Sequence, residues 1–324
     1  MPIHSLEALF APGGRTVERL LANNMDLGVL RTNAVLQQDE WKEMDSNIVR
    51  IAEERLTLTK DLIDGGLTHS LGGIGTTIVQ WQRESDMTDA AVSMEPDSAG
   101  NRDLLDYEVD QVPIPIIHKD FRLGLRQIEA SRRMGSNIDS TNSDAAARSV
   151  ARGMERIVMI GSSLKFGNLP IYGVTTHPDR ITGVAAGPWT AIDNIYETVL
   201  AMVEAADKKH RYGPFNLYVA AGLHMNLYRY FTDGSGQTAG ERLQNIDQVK
   251  SVKVSDVLPA NTAVLIQMDS GTIDLAVAQA LMPVEWDDKG GLVTNYKVLT
   301  AMAPRVKPDI EGNLGIVHFT VPAA

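Results

Sequence analysis

The sequence predicts an α+β protein built around a protruding hairpin, and three observations carry that prediction. Residues 76–117 read as two strands, TTIVQWQRE and LLDYEVDQVPIPII, joined by a polar tip, MEPDSAGN. Amphipathic helical runs fall outside that hairpin, at about 39–64, 143–162 and 190–206. The last third is a series of short strand-like runs broken by Gly, Pro and Asp: VKSVKV, TAVLIQM, TIDLAVAQ, TNYKVLTAMAPRV and LGIVHFTV. These lack the regular β-α-β alternation of a doubly wound sheet.

In chain order, residues 1–35 read as an arm. Pro12-Gly13-Gly14 breaks it, and RTVERLLANN can form only a short helix. From about Asp39 to Asp64, Trp41, Met44, Ile48, Ile51, Arg55, Leu58 and Leu62 recur at roughly helical spacing, and Gly65-Gly66 supplies a stop. GGLTHSLGGIG reads as a joint at the base of the hairpin. Between Glu84 and Asp110 the hairpin holds nine acids (Glu84, Asp86, Asp89, Glu95, Asp97, Asp103, Asp106, Glu108, Asp110) against Arg102. That leaves eight net negative charges out of a chain total of −11. So polar a hairpin cannot bury much of itself, and isolated hairpins are marginal in water; it is built to lie on something else.

After the hairpin, HKDFRLGLRQIEASRRMG reads as a strand end leading into a short helix, and 137–141 as a turn. The helix at about 143–162 turns Ala146, Val150, Met154, Ile157 and Val158 to one side. Arg148, Arg152 and Arg156 recur every four residues as a basic stripe. Residues 119–165 hold nine bases and five acids, so a basic platform follows the acidic arm. FGNLPIYGVTTHPDRITGVAAGP, rich in Gly and Pro, reads as a crossing loop and a domain boundary. Thr190 and Asp193 are placed to cap the next helix, whose apolar face is Ile192, Ile195, Tyr196, Val199, Met202, Val203 and Ala206. Phe215–Ala221 reads as a strand, GLHMNLYRYF as a short helix and TDGSGQTAGE as an exposed loop.

Composition narrows the function. No apolar run is long enough for a membrane span, and MPIHSLEALFAPGG lacks the pattern of a secretory signal. Cys is absent, which removes disulfides and thiolate chemistry. A pI near 5.1 argues against nucleic-acid binding as the main task. The seven histidines (His4, His69, His118, His177, His210, His224, His318) include no i, i+4 pair and no HExxH. Gly72-Gly73-Ile74-Gly75 precedes a strand and no helix, so it reads as a hinge, not a dinucleotide loop. Gly234-Ser235-Gly236 lacks the strand and helix of a nucleophile elbow. No catalytic, cofactor or metal site is expected.

The basic stripe has three readings: a solvated helix face, a nucleic-acid contact, or a landing surface for the acidic arm of a neighbouring subunit. On the third reading the interface comprises Trp81, Asp103, Leu105, Asp106, Tyr107 and Glu108 of the arm, with Arg132, Arg133, Arg148, Arg152 and Arg156 opposite. Exposed ion pairs contribute about 0.2–1 kcal/mol each, so charge would set register. The arm's apolar residues, including Ile78, Val79, Leu104 and Val109, would supply most of the energy at about 25 cal/mol per Å2.

The order of elements resembles the tailed-phage major capsid proteins of the Hong Kong 97-type fold, which encapsulin shell proteins share. LQQDEWKEMDSNIVRIAEERL is similar to the early helix of encapsulins. VPIPIIHKDFRLGLRQIE resembles the strand that returns from their extended loop. ARSVARGMERIVMIGSS and LPIYGVTTHPD are similar to the spine helix and the glycine turn after it. FNLYVAAGLHMNLYRYF and TAVLIQMDSGTIDLAVAQALMPVEW resemble units of their axial domain. The resemblance runs from about 36 to 321.

It implies an N-terminal arm (1–35), an N-terminal helix and hinge (36–75) and an extended loop (76–118). A peripheral domain with the spine helix (119–187 and 301–324) and an axial domain (188–300) complete the chain. It further implies a major capsid protein, not an enzyme, that assembles with itself into pentamers and hexamers of a closed icosahedral shell. That shell would enclose double-stranded DNA without reading its sequence, with portal, scaffolding and decoration proteins as further partners and no membrane or cofactor. Its place would be the virion capsid, made and assembled in the bacterial host cytoplasm. The alternative within the fold is an encapsulin compartment holding a cargo enzyme, and outside it an α+β enzyme without a recognised motif. Some relatives lock their shells through a Lys on the extended loop. No Lys occurs here between Lys60 and Lys119, so a non-crosslinked shell is expected. The long charged extension that serves some phage subunits as a scaffold is also lacking, which implies a separate scaffold or none.

Overall fold

A computed structural model describes residues 38–85, 87–90, 92, 94, 104–124, 141–231, 236–288 and 293–323. The expected arm at 1–35, the short helix after Gly124 and the turn at 137–140 lie outside the described residues.

The helix expected over 39–64 is two helices, α1 (Gln38–Glu53) and α2 (Leu58–Asp64). The break has a cause elsewhere in the chain. Thr57 heads α2 without a side-chain cap; the buried carboxylate of Glu155 accepts the N–H groups of Thr57, Leu58 and Thr59 instead, at 3.3, 2.8 and 3.1 Å. An anion at a helix N-terminus satisfies orphan donors and the helix dipole together. Gly65-Gly66 ends α2 as expected: Gly66 takes φ 69° and Leu67 N–H returns to the Leu62 carbonyl.

The joint after α2 contains a short strand, β1 (Thr68–Ser70), then a turn closed by Thr76 N–H on the Gly73 carbonyl. The hairpin forms from β2 (Ile78–Glu84) and β3 (Tyr107–Pro113). Its second run does not stay in the hairpin. After Ile114-Pro115 it resumes as β4 (Ile116–Gly124), which pairs with a different sheet and crosses the expected boundary at 118/119.

The helix expected as the spine, α3 (Thr141–Met159), follows. The helix ends at Met159, short of the expected 162, and β5 (Gly161–Phe166) takes up the difference; the expected crossing loop holds β6 (Leu169–Tyr172) and β7 (Ile181–Val184). Helix α4 (Ile192–Asp207) buries Ile195, Val199, Met202, Val203 and Ala206 as its spacing predicts, but it starts at Ala191 with no side-chain cap from Thr190. β8 (Phe215–Ala220) leads into α5 (Ala221–His224) and one 3-10 turn. A helix missed by sequence reading, α6 (Ala239–Gln244), ends the expected loop. Thr238 and Glu241 form a reciprocal capping box on it. The chain finishes with β9 (Val249–Ser255), β10 (Thr262–Gln267), β11 (Ile273–Asp288), β12 (Val293–Val306) and β13 (Ile316–Thr320).

Two sheets organise the body. One runs β1-β11-β12-β4 and the other β7-β13-β10-β8-β9. The second is covered on both faces, which explains why all six residues of β8 are buried. Phe215, Leu217 and Val219 meet α4 and α6, whereas Tyr218 and Ala220 join the core of α1, α2, α3 and the first sheet. Period-two alternation along one strand thus serves two cores.

Candidate functional site

Among the described residues, the hairpin arm is fastened at its root and exposed further out. Val79 and Val112 face each other in register and pack with Ile171, Ala276 and Ala303 of the body. Trp81, two residues out on the same face, packs beside this cluster with the Arg305 guanidinium 6.0 Å from its ring. Arg305 is itself held by a buried fork to Asp274 at 2.7 and 2.5 Å, and Lys307 shares that carboxylate at 2.7 Å. Arg83 continues the inward face. It donates to the Asp309 carbonyl at 2.5 Å and lies 3.9 Å from Asp179. Ile310 N–H reaches the Glu84 carbonyl at 3.4 Å, so the 309–313 loop clips the outgoing strand.

The outward face differs. Tyr107 and Val109, in register with Glu84 and Gln82, are 55% and 64% exposed; Leu104, just before the strand, is 92% exposed. Asp106 is exposed, as is Glu108 on the Arg83 side of the hairpin, and Leu105 is half-buried. In the sequence the arm's apolar residues form one set; the period of the strand divides them. Val79 and Trp81 face their own subunit, and Leu104, Tyr107 and Val109 stand free. Single apolar residues on a surface need no explanation; here three stand exposed on one slender hairpin.

The spine helix supplies the opposite charge. Arg152 and Arg156 are exposed and Arg148 is half-buried, on the side away from Ala147, Val150, Met154 and Val158. Among the described residues, no ion pair joins these arginines to the arm's acids. Asp103, Arg132 and Arg133 lie outside the described residues.

Sequence reading missed the groups that fix the spine. Glu155 lies between exposed arginines yet is fully buried. Burial pushes its carboxyl above the usual carboxylate range, and the three N–H bonds pull it partly back. At the foot of the spine, Gly161 takes φ +88°, and a Cβ there would stand 2.3 Å from the Ile171 carbonyl oxygen and 2.7 Å from Gly173 N. This is the glycine turn where β5 and β6 leave the helix. A further buried cluster ties α2 to the second sheet. Tyr218 donates to Asp61 at 2.5 Å, and Lys253 pairs with the other oxygen of that carboxylate. Burial and the Asp61 charge push the Tyr218 hydroxyl well above its usual value, so it acts as a donor. Among the described residues no group of three or more His, Cys, Asp or Glu is placed to hold a metal ion, and no helix is long and apolar enough to cross a membrane.

Comparison with known proteins fits this geometry. The chain is 24% identical over 278 residues to the type 1 encapsulin shell protein EncA of Myxococcus xanthus, covering 85% of this chain and 91% of that protein. It is 24% identical over 274 residues to a diheme-cytochrome-encapsulin shell fusion protein of Kuenenia stuttgartiensis, covering 84% of this chain and 71% of that one. Among solved structures, a virus-like particle from Pyrococcus furiosus superposes with a TM-score of 0.61 at 16% identity, over 86% of this chain and 98% of that one. The capsid of Myoviridae phage XM1 gives 0.61 at 14% identity, over 79% and 89%. The fold is the Hong Kong 97-type capsid fold, and the chain is related to encapsulin shell proteins. A model of a family of unknown function, DUF6260, matches residues 31–319, and the chain belongs to that family.

Proposed function

We propose that this chain is a shell subunit that assembles with copies of itself, and that its shell is the head of a tailed phage or prophage. The single observation that carries self-assembly is the arm: a hairpin fixed at its root by Val79, Trp81 and Arg83, with Leu104, Tyr107 and Val109 presented outward. Such a projection gains stability only by covering another molecule, and a second copy offers the basic face of α3 to its acids. On this reading residues 76–118 are the extended loop, 119–187 with 301–324 the peripheral domain and 188–300 the axial domain. The arm's acids lie on the Arg148, Arg152 and Arg156 stripe, or on Arg132 and Arg133, of a neighbour. The net charge of −11 suits a container for DNA, because strong phosphate contacts would hinder packing and release. Pentamers and hexamers are the expected building units, and the role is structural, not enzymatic.

The named sequence relatives favour a second reading, an encapsulin compartment around a cargo enzyme. The contents of purified particles discriminate the two. Nuclease-protected double-stranded DNA of genome length, with a portal protein at one vertex, supports the phage head. A stoichiometric co-purifying enzyme without such DNA overturns it in favour of the compartment.

A further inference from the structure

The root of the arm rests on a cluster of histidines and arginines that the shell reading does not use. The loop 177–180 lies beneath β2. Its Asp179 carboxylate faces Arg83 of the arm at 3.9 Å and lies beside Gly312 of the 309–313 loop that clips the arm. Two imidazoles hold this loop in place, each as an acceptor. His177, only 7% exposed, takes the Asp179 backbone N–H on Nδ1 at 3.2 Å, while Tyr172 packs edge-on against its ring. His318, on β13, faces Arg180 Nε through its own Nδ1 at 3.4 Å, and Arg180 also donates to the His177 carbonyl at 2.7 Å. A ring nitrogen that accepts an N–H cannot carry a proton at the same time.

We propose that this cluster is an acid-sensitive latch at the root of the arm. With both rings neutral the 177–180 loop is closed and Asp179 meets Arg83; protonation of either ring turns an acceptor into a donor aimed at another donor, and the loop releases. The charges around it act in both directions. Arg83 and Arg180 oppose protonation of His177, and Asp179 and Asp110 favour it; among the described residues Arg180 is the charged group that faces His318. Arg211 and Asp309, 3.9 Å apart, form the outer side of the same seam.

The pH window follows from burial, the largest influence on both rings, which holds them below the ordinary value of 6.5. A histidine with a lowered folded value stabilises the native latch fully above 6.5 and loses that contribution as pH falls below it towards the folded value. The latch is therefore shut at neutral pH and weakens in mild acid, while the buried cores, which contain neither ring, stay folded. The arm beyond the Val79–Val112 contact then gains freedom without the subunit unfolding.

Hydrogen–deuterium exchange on the full-length protein at pH 7.5 and 5.5, corrected for the chemical rate, tests this. Peptides covering 78–84, 107–113 and 309–313 should lose protection on acidification by on the order of tenfold, the factor expected for losing two bonds to neutral acceptors. Peptides from α3 and β8 should not. In the double variant His177→Asn with His318→Asn, the amide oxygen can replace Nδ1 as acceptor and does not titrate, so arm protection should become independent of pH. If the double variant does not fold, His318→Asn alone, at the more exposed site, should remove part of the response. Equal wild-type protection at both pH values would overturn the latch, as would a full acid response in the variants. The readout is the arm root, so it fails or succeeds separately from the shell reading.

Discussion

Replacing Glu155 gives the sharpest test of how the spine is held. Its carboxylate satisfies three N–H groups at the start of α2, and the bonds to Leu58 and Thr59 are buried. Glu155→Ala orphans those two buried donors, at about 1–3 kcal/mol each, and removes an anion from the helix N-terminus. Relief of the carboxylate's own desolvation offsets part of the loss. The net expectation is a loss of about 2–4 kcal/mol. Glu155→Gln keeps one acceptor oxygen and should lose about 1–2 kcal/mol. Urea unfolding of dispersed subunits at fixed concentration measures both, and fixed concentration matters because assembly adds stability by mass action. Exchange of the 57–64 amides should rise more in the Ala variant than in the Gln variant. The pH dependence has a definite sign. Burial raises the folded value above 4.5, so the native state holds this proton more tightly than the unfolded chain does. That contribution is full below 4.5 and is lost as pH rises through the folded value. The wild-type margin over Glu155→Gln should therefore narrow as pH rises from 4.5. Equal damage from Ala and Gln would refute the capping account, and a margin that widens with pH would show that the three N–H bonds outweigh the burial of the carboxyl.

Three further expectations concern the arm and its support. Reversing charge at Asp103, Asp106 and Glu108 to Lys should cut particle yield while the subunit keeps its circular dichroism spectrum. Undiminished yield would count against docking on a basic face, and recovery on adding Arg152→Glu and Arg156→Glu would identify that face as α3. Purified particles should dissociate to a single band on a denaturing gel, since no Lys lies between Lys60 and Lys119; a ladder of covalent oligomers would contradict this. Gly161→Ala should lose about 2 kcal/mol or more, because a left-handed φ and a backbone collision act together. Unchanged thermal stability would show that the turn can relax.

Much of the fold was legible because local rules decided it. Helix α4 shows its buried face at 3.6-residue spacing, Gly65-Gly66 reads as a stop and is one, and the first hairpin strand, β2, alternates. What was missed depended on partners far away in sequence. The break between α1 and α2 is invisible locally, because its cap, Glu155, lies about a hundred residues on and looks like one more charge on an exposed stripe. β4 reads as a continuation of the hairpin because Ile116 and Ile117 follow the same apolar pattern; only their pairing with Thr300 and Ala301 shows that they belong to the first sheet. β11 passes through Pro283, which reads as a breaker but is accommodated opposite Val298, beyond the register shifts between Val277 and Met282. The capping box of α6 was different. Thr238 followed three residues later by Glu241 is a local signal within a stretch otherwise read as loop. At the arm, sequence gave the acids and the apolar residues, and the strand period then separated Val79 and Trp81, which hold the arm to its own body, from Tyr107 and Val109, which do not.

Electron microscopy of the purified full-length protein tests self-assembly most directly. The account predicts closed, hollow particles of uniform diameter with subunits clustered in rings. A field of dispersed monomers at micromolar concentration in near-physiological buffer, with the spectrum of a folded protein, would contradict it.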